Sequence, residues 1–144
     1  MWFCHPNHKP WLLTRYNAYD WRWTQPTYVG APWEEGGYNP LDGYPTTITF
    51  FQQRLFVGAT RAKPQTVWAS STADFFDFAI VADPNPDDPL ELTIAAQTHE
   101  AIEWLSTQQD LLVGTGQNEH RAVADSFVST SNLPSVQRQT QYGS

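Results

Sequence analysis

Hydrophobic and polar positions alternate along this chain in short runs cut by prolines and glycines. In Tyr19-Asp20-Trp21-Arg22-Trp23-Thr24 the aromatic side chains share one face and Asp20, Arg22 and Thr24 share the other. That period of two is the mark of a half-buried strand. Trp11-Leu12-Leu13-Thr14-Arg15-Tyr16 reads as a strand before it, and residues 30–45, rich in glycine and proline, read as a long loop. Thr46 to Phe51 is a β-branched and aromatic run, and Gln52-Gln53 is a tight turn into Arg54-Leu55-Phe56-Val57-Gly58-Ala59. A polar loop from Thr60 to Gln65 leads to Thr66-Val67-Trp68-Ala69-Ser70, giving three strands in a meander. Asp83-Pro84-Asn85-Pro86-Asp87-Asp88-Pro89 must be an exposed loop, because three prolines in seven residues exclude regular structure. Four strands are expected after it, at about 90–95, 101–106, 110–115 and 119–124, although Ala95 to Leu105 also fits one helical stretch.

An internal repeat adds organisation to these strands. Gln52-Gln53-Arg54-Leu55-Phe56-Val57-Gly58-Ala59-Thr60 aligns with Gln108-Gln109-Asp110-Leu111-Leu112-Val113-Gly114-Thr115-Gly116, with five of nine positions identical and an offset of 56 residues. Each copy follows an apolar pair, Phe50-Phe51 or Trp104-Leu105. A period of this size, carrying about four short strands, is the signature of a β-propeller blade. A single four-stranded sheet has two bare faces and needs neighbours to bury them. The expected fold is therefore all-β: antiparallel meanders forming partial, propeller-like blades. The expected divisions are 1–45 (Trp/Pro-rich strands and loop), 46–100 (a first blade) and 101–144 (a second, incomplete blade). Two blades close no propeller, so other chains or a longer protein must supply the rest. An isolated chain is expected to aggregate or oligomerise through its uncovered faces and edges.

Composition narrows the function classes. The chain has 144 residues, 40% of them apolar and 15% aromatic, enough for a real core and too hydrophobic for disorder. Its net charge of −7 argues against a nucleic-acid-binding surface, which needs clustered cations to displace phosphate counterions. Between Asp74 and Asp125 there are eleven acidic residues and one basic residue, Arg121. The plain reading of that skew is a solvated surface; the sharper one is a wall that repels polyanions, with Asp83, Asp87, Asp88 and Glu91 as its candidate residues. The single cysteine, Cys4, rules out an internal disulfide. The start of the chain lacks the basic-then-apolar pattern of a signal peptide, and no run approaches the roughly 18 apolar residues of a membrane helix.

Catalytic or metal chemistry finds little support. Cys4, His5 and His8 cluster without the second ligand pair that a structural zinc site needs, and His99 and His120 stand apart. His99-Glu100 with Glu103 lacks the second histidine of a zinc-protease helix. Asp74 with Asp77, or Asp87 with Asp88, offers the paired carboxylates of a glycosidase, but both pairs fit turns or solvated loops better. Seven tryptophans could line a sugar-binding face; Trp21, Trp23, Trp68 and Trp104 fall in strand patterns, where core packing is the commoner use. No catalytic residue, metal or cofactor is expected.

An ordered series of segments carries a resemblance. Gly43-Tyr44-Pro45, then Phe50 to Thr60, Pro64 to Ser70 and Asp74-Phe75-Phe76-Asp77-Phe78 resemble the tail nozzle proteins of short-tailed bacteriophages, also called tail tubular protein B. Asp87 to Ala95, Ile102 to Leu105, Asp110 to Thr115, and Val136 to Gln139 with Tyr142 to Ser144 are similar in the same order. The resemblance implies a structural virion protein, made in the host cytoplasm and built into the tail. It implies a homo-oligomeric ring, a conduit or gate through which genomic DNA passes without specific binding. The implied partners are other tail and neck proteins: adaptor, tail fibre or needle proteins. Family members are several times longer, so this chain would supply part of a propeller. The rival reading is a carbohydrate-binding or glycosidase-like tail module that recognises host surface sugars.

Overall fold

The computed structural model of the chain describes residues 1–33, 43–94, 100–123 and 128–140. The fold is all-β: among the described residues there is no helix, and eleven strands form three antiparallel sheets. The first sheet holds β1 (Trp2–His5), β2 (His8–Arg15) and β3 (Trp21–Thr24) in that order. The second is a meander of β4 (Thr47–Phe51), β5 (Arg54–Gly58), β6 (Thr66–Ala69) and β7 (Leu90–Thr93). The third is another meander, of β8 (Ile102–Thr107), β9 (Leu111–Thr115), β10 (Glu119–Val123) and β11 (Ser135–Thr140).

Most of the expected strands are present, and the helical alternative fails at Ile102–Thr107, which is strand β8; residues 95–99 of that stretch lie outside the described residues. Two strands were not expected. β1 opens the chain, and β11 gives the third sheet four strands rather than an incomplete set. β11 is Ser-Val-Gln-Arg-Gln-Thr, whose side chains are mostly exposed, so no apolar alternation announces it. Its backbone pairing to β10 makes it a strand.

The repeat falls on equivalent hairpins. Its first copy is β4–β5 and its second is β8–β9, the first two strands of their sheets. In the first copy Gln52 and Gln53 take φ of 47° and 61°, the left-handed pair of a two-residue turn whose twist matches the strands. Glutamine pays strain there that Asn-Gly would avoid, and the turn is held by tertiary bonds. Ala73 N–H donates to Gln53 O at 2.9 Å and Val128 N–H to Gln52 Oε1 at 2.6 Å.

The second sheet is the middle layer, and every residue of β5 and β6 is buried. On one face Phe56, Val67, Ala69, Leu90 and Leu92 meet Ile102, Leu105, Leu111, Val113 and Ala122 of the third sheet. On the other, Leu55, Val57 and Trp68 meet Tyr28, Trp33, Tyr44 and Phe78, with Trp2 of the first sheet packed at the margin. The edge strands β4 and β8 are joined by a bond from Leu105 N–H to Thr47 Oγ1 at 3.0 Å. Two glycines are required by close approach. Gly30 has φ of +57°, and a Cβ there would lie 2.5 Å from Ala79 Cα. A Cβ on Gly114 would lie 1.9 Å from Trp104 Cε2, so the indole lies flat over bare backbone.

Candidate functional site

The acidic candidates sit on and after the proline loop that precedes β7. The loop is braced from beneath by Arg54, only 2% exposed, whose guanidinium donates to Ser70 O (2.7 Å), Asp88 O (2.8 Å) and Pro86 O (2.6 Å). Burial lowers the Arg54 pKa, and the nearby Asp87 and Asp88 charges oppose that shift. Thr72 N–H donates to Asp87 O at 2.9 Å and Thr130 Oγ1 to Asn85 O at 2.7 Å. The loop is therefore pinned by backbone acceptors, which leaves its side chains to do other work.

Those side chains divide into two kinds. Asp88 Oδ2 accepts from Asn85 N–H at 2.7 Å, closing a local turn, and Glu91 on β7 pairs with Lys63 Nζ at 2.7 Å. Asp83 and Asp87 are exposed; Asp83 has no hydrogen-bond or ion-pair partner among the described residues, and Asp87 feels the nearby Arg54 charge without a hydrogen bond to it. A cleft of about 370 Å³ opens beside Gln52, Gln53, Arg54, Thr72, Asp87 and Ser129. Arg54 offers this cleft little, since its bonds already go to three carbonyls.

The other candidates form no common site, although the His5 and His8 rings lie 5.2 Å apart as partners across β1 and β2. Cys4 is half-buried and His5 exposed on β1, whose register shifts between Phe3 and His5, and burial pushes the Cys4 thiol up to about 12. Asp77 accepts from Ser71 Oγ at 2.7 Å and Ala79 N–H at 3.0 Å, and Asp74 from Phe76 N–H at 3.0 Å, so both shape turns. Glu100 Oε2 accepts from Thr115 Oγ1 at 2.8 Å and Gln117 N–H at 3.1 Å. His99 and Asp125 lie outside the described residues, and among the described ones no three His, Cys, Asp or Glu converge.

His120 is buried on β10 with Nε2 lacking a partner among the described residues. Burial lowers its pKa from 6.5; Glu100 opposes the shift and Arg138 adds to it. A lowered folded-state pKa means that the unfolded chain binds the proton first. Stability from neutral His120 is thus complete above 6.5 and is lost as pH falls below it. Urea midpoints should drop between about pH 7 and about pH 5, and His120→Gln should flatten that drop. An unchanged slope in the variant would show that carboxylates alone set the acid sensitivity.

The tryptophans separate sharply. Trp68 is 1% exposed, and Trp104 is half-buried over Gly114. Trp21 and Trp23, expected on a half-buried strand, are 52% and 56% exposed, and every residue of β3 is exposed. The alternation of β3 is real, but no layer covers its aromatic side. Nothing in the residues 19–24 themselves distinguishes a covered aromatic face from a bare one. Phe3, Trp11, Trp21 and Trp23 share that bare face, with Phe3 and Trp23 rings 4.8 Å apart and Arg15 stacked 5.5 Å from the Trp21 ring. No helix of the described residues is long and apolar enough to cross a membrane. No protein-family model matches the chain, and no curated protein sequence does either.

Proposed function

We propose that this chain is a structural, non-catalytic subunit of a short-tailed phage tail, part of a nozzle-like ring through which DNA leaves the particle. The observation that carries this reading is the pair of four-stranded meanders packed face to face, each opening on the same repeated hairpin. Such stacking favours propeller-like blades, since each sheet supplies the cover that the other lacks. The resemblance of the ordered segments to tail nozzle proteins supplies the setting. Asp83 and Asp87, exposed on a braced loop, are the residues best placed to present fixed negative charge to passing DNA.

The test is a phage carrying Asp83→Lys with Asp87→Lys, after the chain has been detected in purified particles. Asp88 and Glu91 are spared because they hold the loop turn and Lys63. On a conduit wall the reversal should leave assembly intact, slow genome release and make it salt-sensitive. Each new phosphate contact adds a slope of about 0.9 in log K against log salt. Unchanged release would retire the conduit role of this loop, and absence of the chain from particles would retire the virion reading. The rival sugar-binding or glycosidase-like module draws support from the exposed rings of Trp11, Trp21 and Trp23. A glycosidase needs a pair of carboxylates, however, and the one acid of residues 1–24, Asp20, is held by Arg22 at 2.8 Å.

A further inference from the structure

The exposed side of the first sheet has the composition of a protein interface. By strand register Phe3 faces Trp11, Leu13 faces Trp23 and Arg15 faces Trp21, so these six side chains form one continuous surface. Four are aromatic, one is leucine and the one charged group is arginine. Interface cores are enriched in aromatic residues and Arg and depleted in Lys, Glu and Asp. Contiguous exposed apolar patches on soluble chains mark association sites. Arg15 is already stacked on Trp21, and among the described residues it has no carboxylate partner. Its Nε donates to Asn17 O at 3.1 Å, which leaves the terminal amines to meet an acid from outside.

The same molecule carries a matching surface. Ile80 and Val81 are 51% and 45% exposed, and the exposed carboxylates of Asp83 and Asp87 follow within six residues. This segment has apolar groups beside anions where the first sheet has apolar groups beside a cation. The charge balance of the two regions agrees with the pairing. Residues 1–24 contain Lys9, Arg15 and Arg22 against Asp20, whereas residues 74–125 contain eleven acids against Arg121. Opposite fields steer such surfaces together and disfavour pairing of like with like.

We infer that the aromatic face Phe3, Trp11, Trp21 and Trp23, with Arg15, docks on the Ile80–Asp87 loop of a second copy of this chain. Two different patches on one chain make a head-to-tail contact, which propagates from copy to copy. The inference rests on the proposed function only in taking the chain for a subunit of an assembly; it assigns the surfaces through which copies meet and takes Asp83 and Asp87 out of the conduit wall, so that their reversal to lysine in the phage should impair assembly rather than leave it intact.

Two variants test it, each altering exposed side chains: Trp21→Ser with Trp23→Ser, and Ile80→Ser with Val81→Ser. Far-ultraviolet circular dichroism and urea midpoints should stay close to the parent. Sedimentation over a concentration series should show the parent growing into larger species. Each variant alone should associate at least ~10-fold more weakly. Mixed in equal amounts, the variants should form a dimer and nothing larger, because the mixture keeps one intact face and one intact loop. Arg15→Glu should weaken the association, and Asp83→Arg in the partner should restore it.

A parent that stays monomeric throughout, or a mixture that yields no dimer, overturns the inference. Association that persists undiminished in both variants overturns it too, while leaving the subunit reading standing, since copies would then meet elsewhere. If the Trp21/Trp23 variant instead loses binding to purified host-surface polysaccharide and associates like the parent, the face is a sugar site and the inference falls. The subunit reading itself is decided separately, by whether the chain is present in purified particles.

Discussion

Replacing Arg54 with methionine is expected to cost about 3–5 kcal/mol of unfolding free energy, enough to unfold a marginal chain at ordinary temperature. Methionine fills much of the volume but donates nothing. Ser70 O, Pro86 O and Asp88 O would each lose a charge-assisted bond; a buried acceptor left unpaired, as Ser70 O would be, costs about 1–3 kcal/mol, and the part-buried Pro86 O and Asp88 O cost less. The total stays below the sum because the loop borders solvent and can draw in water. Arg54→Lys should recover only part of the loss, because an ammonium cannot spread its donors across three carbonyls as a planar fork does. Arg121 provides the internal contrast. It pairs with Asp110, which stands where Arg54 does in the other copy of the repeat, and the Arg121 side chain is well exposed. Arg121→Met should cost no more than about 1 kcal/mol. Urea unfolding of the three variants checks the order, and an Arg54 variant as mild as Arg121→Met would refute the bracing role.

Trp68→Ala is expected to be as damaging, about 3–5 kcal/mol, because it empties the centre of the second core. Trp68 meets the edge of Trp33 at 6.1 Å and 68°, and the Lys63 ammonium lies 5.8 Å from its ring. The indole Nε1 has no hydrogen-bond partner among the described residues. Trp68→Phe therefore gives up volume but also removes a buried, unpaired donor, and should cost less than about 1.5 kcal/mol. Trp23→Ala, on the bare face, should lie within about 0.5 kcal/mol of the parent. Thermal or urea unfolding in which Trp68→Phe matched Trp68→Ala would contradict this account, since the ring's apolar contacts would then not be what holds the core.

The strands that sequence made legible are those whose apolar residues alternate or run together, such as 47–51, 54–58 and 66–69, and the Gln52-Gln53 turn between two of them. β11 was illegible because its place depends on backbone pairing to β10 and on little side-chain burial. β3 was read correctly as a strand and wrongly as half-buried, since alternation reports which residues share a side but not what covers that side. The acidic candidates could be listed from composition. Their division into turn-former, ion-pair partner and exposed acids is set by the fold, because it turns on Asn85, on Lys63 and on a buried arginine far away in sequence. Arg54 itself gave no signal, being one charged residue in an otherwise apolar strand.

Every ladder within the three sheets joins strands that follow one another along the chain. Loop closure is cheapest for such neighbours, so each meander can zip up from its own hairpins before any distant segment arrives. The order in which the layers mature is nonetheless constrained. The middle sheet emerges from the ribosome with the face carrying Phe56, Val67 and Leu92 still bare, and its cover, residues 102–122, is synthesised afterwards. During that interval the nascent chain displays a flat apolar surface to its surroundings. The moment of greatest vulnerability to misassociation is therefore fixed by the order of strands along the chain: it opens when β7 clears the exit tunnel and closes when β8 and β9 dock through Thr47 and the first core.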